Sequence, residues 1–257
     1  MKILKFGGKS LDNGRGIAKV LDIIIDNYRA GESPVVVVSA RGKSTDALLA
    51  LAEQACAGEE YEPALHAFWA HQCQETSLRF EAERVKLERL LSGISLLGEC
   101  SLRTTDELVS YGEVLSEHYV AHALQERGYL AVPVDSGDFL VTDAHYGGAS
   151  VFTELSRERC RALFAGLPEG VIPIVTGFIA RDEVGRRTTL GRNGSNYSAA
   201  LLANFLEASL MENYTHVDGI YTANPSIVPE ARKIDELSYA DAAELSQFGA
   251  EILHIKT

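Results

Sequence analysis

Two short stretches carry the letters Gly-Lys-Ser, which end the phosphate-binding P-loop of many nucleotide-binding proteins. They cover residues 8–10 and residues 42–44. A P-loop also needs a glycine five positions before its Gly-Lys pair, and those positions hold Ile3 and Val37. Both lie inside apolar runs that predict strands, so the long phosphate-cradling loop is missing. Taken alone, each stretch indicates a turn rather than a site.

Four glycine-rich or polar stretches together are a stronger signal for an anionic ligand. They cover residues 7–10, 39–45, 176–178 and 191–196. Glycine lets the backbone approach a phosphate closely, and a helix N-terminus offers free N–H groups and a positive dipole end. Each stretch follows a predicted strand or opens a predicted helix, and open α/β sheets bind ligands beyond the carboxyl ends of their strands. The four loops therefore favour a ligand such as a nucleotide.

Hydrophobic patterning supplies the elements that would position these loops. Apolar runs predict strands over residues 2–6, 35–38, 129–134, 171–175 and 209–217, and a hairpin over 178–190 that turns at 183–185. Helical periodicity predicts helices over residues 15–29, 151–164, 195–207 and 239–248. The helix at 195 would have Ser195 as its N-cap. The pattern from about residue 44 to 128 predicts helix almost throughout, with breaks near Gly58, Gly93 and Gly112.

The order of these elements predicts the fold class. The four consecutive valines at 35–38 are typical of a strand that is buried on both faces of a parallel sheet. Strands and helices alternate along most of the chain. We therefore expect an α/β protein, a three-layer α/β/α sandwich with a mostly parallel central sheet.

Composition argues against several classes of partner. The 257 residues include 36 acidic and 24 basic side chains, a formal net charge of −12, whereas duplex binding requires a cationic face. We therefore expect no nucleic-acid partner. No apolar run reaches the roughly 18 residues of a membrane span, so we expect no membrane partner. The first residues are too soon interrupted by glycine for a signal peptide.

The cysteines and histidines point to no metal site. The four cysteines form no C-x-x-C pair, which favours reduced thiols and a cytoplasmic location. His118 and His122 are four residues apart on a predicted helix, but the residues between them lack the glutamate of an H-E-x-x-H motif. An ordinary helix face is the better interpretation.

Six motifs, taken in order, resemble those of one protein family. They are KFGG at 5–8 followed by Ser10, VVSA at 37–40, SYGEVLS at 110–116, TLGRNGSNYSAALLA at 189–203, VDGIYTANP at 217–225 and ELSQFGAEILH at 244–254. The sequence resembles aspartate kinases of the amino acid kinase superfamily, and most of all the kinase module of bifunctional aspartokinase–homoserine dehydrogenases. The resemblance implies an amino acid kinase domain over residues 1–257, which includes the helical segment at about 44–128. The ACT and dehydrogenase regions of such proteins are absent from this chain, so we expect it to be part of a longer one.

The resemblance implies a defined reaction. An aspartate kinase transfers the γ-phosphate of ATP, with Mg²⁺, to the side-chain carboxylate of L-aspartate, giving 4-phospho-L-aspartate and ADP. This is the first step toward lysine, threonine and methionine. Phosphoryl transfer depends mainly on positioning and on neutralising charge, so cations must lie where the two anions meet. A homo-oligomer is implied for the full-length parent.

The site residues follow from the resemblance position by position. Lys5 matches the catalytic lysine, and Asn196 falls at a second catalytic position. Arg192 matches the arginine that forks the α-carboxylate of aspartate, and Glu113 matches the carboxylate that accepts from its ammonium. The remaining matches are Ser39, Thr45 and Ser195 near aspartate, and Gly7, Gly8, Ser10, Thr215, His216, Tyr221, Asn224 and Glu251 near the nucleotide.

Several positions depart from the family pattern. Asn196 stands where an aspartate is expected, and asparagine can hold a hydrogen bond but carries no charge. His216 occupies an acidic position, and Ser226 and Glu251 replace an arginine and a lysine that face ATP. Lys9 stands where the family usually has threonine.

These departures leave three hypotheses open. The first, which we favour, is an active aspartate kinase with a rearranged nucleotide pocket. The second is a kinase for another small acid, such as glutamate or a carbamate. The third is a degenerate, non-catalytic module that binds aspartate or supports an oligomer.

Overall fold

A five-stranded parallel sheet lies at the centre of the computed structural model, which describes residues 1–215, 219–223 and 227–247. Its strands are β1 (Lys2–Phe6), β2 (Pro34–Val38), β3 (Ala131–Val134), β5 (Ile172–Thr176) and β8 (Leu210–Tyr214). They lie side by side in the order β3-β5-β2-β1-β8, and every neighbouring pair is parallel. The carboxyl ends of all five strands therefore meet at one edge.

Two smaller sheets, eight α-helices and two short 3₁₀ helices (Gly8–Leu11 and Ser136–Asp138) complete the described part of the chain. The short strands are β4 (Val141–Thr142), β6 (Ile179–Asp182), β7 (Arg187–Thr189), β9 (Ile220–Tyr221) and β10 (Lys233–Ile234). The helices are α1 (Gly14–Arg29), α2 (Ser44–Ala57), α3 (Glu62–Gln72), α4 (Glu81–Leu97), α5 (Leu102–Glu126), α6 (Thr153–Ala165), α7 (Gly194–Phe205) and α8 (Tyr239–Gln247). The antiparallel pair β6–β7 confirms the expected hairpin. Within these ranges no helix is both long and apolar enough to cross a bilayer.

The sheet buries both of its faces, which confirms the three-layer prediction. Leu4 and Val36 belong to the core shared with α1–α5, while Ile3 and Val37 belong to the core shared with α6 and α7. Successive side chains of a strand point to opposite faces, so Lys5 lies on the same face as Ile3. That face is the one that α7 covers.

Two of the three expected helix breaks are wrong. Gly58 does end α2, with a left-handed φ of +69°, but Gly93 and Gly112 lie inside α4 and α5. The actual breaks fall at residues 58–61, 73–80 and 98–101. A Cβ at Gly112 would lie 2.7 Å from the Cβ of Ala40. Glycine is needed there because α5 presses against the loop after β2.

A buried arginine ties the loops after β1 and β2 together. Arg41 is only 1% exposed and donates from Nε to the Leu11 carbonyl at 3.0 Å. Its Nη1 donates to the carbonyls of His71 at 3.2 Å and Gln72 at 3.0 Å, and its guanidinium lies 4.4 Å from the Tyr119 ring centroid. Burial lowers the pKa of Arg41, while Tyr119 and nearby carboxylates oppose that shift. A planar fork of donors can serve several carbonyls at once, which an ammonium cannot do in the same way.

Replacing Arg41 tests whether it holds these loops. Arg41→Met leaves the carbonyls of Leu11, His71 and Gln72 without this donor, and we expect the free energy of unfolding to fall by about 3 kcal/mol. Arg41→Lys should recover less than half of that loss, because one ammonium replaces the fork. Urea unfolding followed by circular dichroism measures both. Arg159→Met, at an exposed position of α6, is the matched control, and an Arg41→Met loss no larger than the control's would contradict this role.

Candidate active site

The loops at the carboxyl edge of the sheet are bonded into one continuous rim. The Gly42 amide donates to the Gly8 carbonyl at 2.9 Å, and the Gly7 amide donates to the Tyr214 carbonyl at 3.1 Å. These two bonds join the loop after β1 to the loop after β2 on one side and to the end of β8 on the other. The loop after β5 continues the rim, since the amide of Gly177 donates to the last carbonyl of β2 at 2.8 Å.

The first glycine loop offers open backbone beside an ammonium group. A Cβ at Gly8 would lie 2.4 Å from the Ala40 carbonyl oxygen, so only glycine fits. A Cβ at Gly7 would lie 3.7 Å from the Nζ of Lys5, which places this glycine next to the ammonium. The Ser10 amide donates to the Gly7 carbonyl at 2.9 Å and closes a single turn. The structure thus brings Lys5, Gly7, Gly8 and Ser10 together at the carboxyl end of β1.

Lys5 is a buried ammonium without a local counter-charge. It is 7% exposed, and burial lowers its pKa to about 8. Within the described ranges no carboxylate oxygen lies within 4.0 Å of its Nζ. An opposite charge close to such a group favours the charged form, so an anionic ligand here would raise the pKa of Lys5 again.

Lys5 has a polar neighbour that the sequence motifs do not indicate. Asn213 lies directly opposite Lys5 in the register of β1 and β8, on the face toward α7. Its Oδ1 atom is buried and has no hydrogen-bond partner in the part of the chain that the structure describes. The signal that could have found it is an asparagine in the middle of a predicted strand.

Glu113 is a buried carboxyl group, and among the described residues one of its oxygens has no hydrogen-bond partner. It is 3% exposed on α5, and its Oε1 accepts the Ala40 amide at 3.1 Å. Its Oε2 is buried without a hydrogen-bond partner among the described residues. Burial raises the pKa of Glu113 to about 8, and the Ala40 amide only partly offsets this. A cationic donor such as an ammonium would satisfy the free oxygen and favour the ionised carboxylate.

The start of α7 meets the loop after β5 at the same edge. A Cβ at Gly177 would lie 2.6 Å from the Cβ of Ser195, so glycine is needed for this contact. Asn193, with a φ of +60°, occupies the N-cap position. The expectation that Ser195 is the N-cap is therefore wrong, because Ser195 is already the second residue of the helix. Arg192 is exposed in the preceding turn, and Asn196 is buried in the first turn.

The structure places some of the remaining predicted site residues at this edge of the sheet and others elsewhere. Ser39 follows β2 directly, and Thr45 is half-buried in the first turn of α2. Thr215 follows β8 at the same edge, whereas Tyr221 lies in the small β9–β10 pair opposite Lys233. The other predicted nucleotide contacts lie outside the described residues: His216, Asn224 and Glu251, together with Ser226.

Comparisons with known proteins agree on one family. A model described as the amino acid kinase family matches residues 1–257. Lysine-sensitive aspartokinase 3 of Escherichia coli (strain K12) is 38% identical over 263 residues, which cover 99% of this chain and 58% of that protein. A bifunctional aspartokinase/homoserine dehydrogenase of Haemophilus influenzae is 34% identical over 272 residues, which cover 100% of this chain and 33% of that protein.

A solved structure shows the same similarity. It is the crystal structure of E. coli aspartokinase III in complex with aspartate and ADP, in its R-state. The TM-score is 0.87 at 36% identity, and the match covers 100% of this chain and 58% of that one. The chain therefore spans little more than half the length of this relative.

The burial of Glu113 predicts a pH-dependent gain in stability when the carboxyl is removed. Its folded-state pKa of about 8 lies above the ordinary value of 4.5, so ionisation disfavours the ligand-free fold and stability is lost as the pH rises from 4.5 through 8. We expect Glu113→Gln to be more stable than the original chain by roughly 3–5 kcal/mol at pH 9, and nearly equal to it at pH 4.5. Urea unfolding at the two pH values measures this, and an equal effect at both would contradict the burial argument.

Proposed function

The chain belongs to the amino acid kinase family, and we propose that within it the chain acts as an aspartate kinase. The reaction is the transfer of the ATP γ-phosphate to the side-chain carboxylate of L-aspartate, giving 4-phospho-L-aspartate and ADP. The observation that carries this proposal is the buried Oε2 of Glu113, which has no partner in the described ranges. A site with such an atom favours a substrate that brings its own ammonium group, as an amino acid does.

The aspartate side of the site is proposed around Glu113. Its carboxylate accepts from the α-ammonium of the substrate, and burial makes this bond strong because no water competes for it. Arg192 binds the α-carboxylate, for which its exposed fork of donors is suited. Ser39, Thr45 and Ser195 supply hydroxyl groups beside it. In support, E. coli aspartokinase III, which is 36% identical, has a crystal structure in complex with aspartate and ADP.

The nucleotide side is proposed around Lys5 and its glycine loop. Gly7, Gly8 and Ser10 line the phosphates, and Lys5 neutralises the charge on the phosphoryl group that moves. Preorganised cations in a water-poor site stabilise the developing charge of such a transfer. Asn196 acts as a neutral hydrogen-bonding group, which does not repel the phosphate. Thr215, His216, Tyr221, Asn224 and Glu251 remain predicted nucleotide contacts.

Mg²⁺ is proposed to arrive with ATP. The described residues contain no group of three or more His, Cys, Asp or Glu side chains that could hold a metal ion. The rim groups are an ammonium, amides and hydroxyls, which fit an ion whose ligands come largely from phosphate oxygens and water. When bound, the ion neutralises the phosphate oxygens.

We also propose the extent of the domain, the oligomeric state and the cellular location. Residues 1–257 act as one amino acid kinase domain, in a protein that assembles as a homo-oligomer. The four cysteines are free thiols, which fits the reducing conditions of the cytoplasm.

A hydroxamate assay with ATP and Mg²⁺ tests the reaction. We expect turnover with L-aspartate, and none with N-acetyl-L-aspartate, because the acetylated nitrogen cannot be an ammonium for Glu113. Lys5→Met should lower kcat by about 10²–10³-fold, the usual effect of losing one preorganised charge-stabilising group. Lys86→Met, an exposed position on α4, should leave kcat unchanged.

Three results would contradict this function. One is turnover with L-glutamate or a carbamate but not with L-aspartate, which would identify a different member of the family. Another is binding of L-aspartate and ATP without turnover, which would favour a non-catalytic module. The third is a Lys5→Met variant that keeps more than a tenth of the original kcat.

A further inference from the structure

Two lysines lie on adjacent loops of the rim and have no role in the proposed chemistry. Lys9 follows Gly8 and Lys43 follows Gly42, and the Gly42 amide donates to the Gly8 carbonyl at 2.9 Å. The two lysines thus extend from adjacent, hydrogen-bonded loops. Both are exposed, and across the described ranges neither Nζ has a carboxylate oxygen within 4.0 Å.

The backbone beneath these lysines is held in place. Gly42 has a φ of +53°, and a Cβ there would lie 1.9 Å from Oδ1 of Asp12. The neighbouring Arg41 is buried and donates to the Leu11 carbonyl at 3.0 Å, which is in the loop of Lys9. The two loops cannot separate without breaking these contacts. Two exposed ammonium groups therefore extend from two backbone positions that are held in place.

Among the described residues, no carboxylate oxygen lies within 4.0 Å of either ammonium group. Asp12 is a carboxylate beside these loops; its Oδ1 lies 3.7 Å from Nε2 of His71, and burial together with Arg41 lowers the pKa of that histidine. Farther along the rim, Asp135 is bound by Arg187 at 2.7 Å and by Arg181 at 2.6 Å. In a chain of net charge −12, unpaired lysines on one rim form a local positive field that attracts an anion.

We propose that Lys9 and Lys43 form a clamp that binds the terminal phosphate of a nucleoside triphosphate. The clamp rests on the proposed function, since it completes the same site. Lys5 is buried beside the glycine loop, whereas Lys9 and Lys43 are exposed on the two bonded loops, so the clamp would add two exposed cations to the buried one. A nucleoside diphosphate lacks the γ-phosphate, so the clamp distinguishes ATP from ADP.

Calorimetry of nucleotide binding tests the clamp without any acceptor present. ATP and ADP, each with Mg²⁺, are titrated into the original full chain and into Lys9→Met, Lys43→Met and the double variant. Hydrogen bonds to charged groups are worth about 1.5–3 kcal/mol, so each single change should weaken ATP binding about tenfold or more. The double variant should be weaker still, and ADP binding should change less than threefold.

Two controls separate the clamp from folding and from general charge. Lys86→Met removes the same charge from α4, outside the rim, and should leave both affinities unchanged. Lys9→Arg and Lys43→Arg keep the charge and should retain most of the ATP affinity. Both substituted positions are exposed, and circular dichroism of each variant verifies the fold.

The outcomes separate the clamp from the reaction. Unchanged ATP affinity in the double variant overturns the clamp, and so does an equal loss for ATP and ADP. If the original chain binds ATP but phosphorylates no amino acid, the proposed function fails while the binding comparison still decides the clamp. If the original chain binds no ATP, both proposals fail.

Discussion

The desolvation of two ionisable groups, an ammonium and a carboxyl, is the constraint on which the site depends. Lys5 and Glu113 are both buried, and burial brings the pKa of each to about 8. In the described part of the chain, Lys5 has no carboxylate nearby and Glu113 keeps one oxygen without a partner. A buried charge without a partner destabilises a fold. The ligand-free protein thus stores an unfavourable energy that an anion at Lys5 and an ammonium at Glu113 would relieve.

Close backbone contacts make this arrangement possible. The carbonyl oxygen of Ala40 lies 2.4 Å from where a Cβ of Gly8 would be, an approach that only glycine allows, and Gly112 and Gly177 allow similar approaches at α5 and α7. Each contact brings a charged or polar side chain to the edge: Glu113 follows Gly112 on α5, and Ser195 lies against Gly177. The glycines therefore set how closely the loops after β1, β2 and β5 can approach one another and the helices α5 and α7.

Much of this was readable from the sequence, and what was missed has physical reasons. The valine run at 35–38 and the helical periods predicted the parallel sheet and its layers, because burial on both faces leaves a direct pattern. Gly112 was misread as a break, since a glycine that ends a helix and one that lets a neighbour approach look alike in sequence. Arg41 and Asn213 were missed because their importance lies in partners far along the chain. The site residues themselves came from the motif resemblance rather than from patterning.

Proton release on substrate binding tests the central claim most directly. At pH 7 the Glu113 carboxyl, with a pKa of about 8, is mostly protonated, and pairing with an ammonium should ionise it. Calorimetric titration of L-aspartate, in buffers of different ionisation enthalpy and with ATP replaced by a non-reactive analogue, counts the protons. The account predicts release of nearly one proton per aspartate at pH 7, and almost none for Glu113→Gln. Aspartate binding without proton release in the original chain would contradict it.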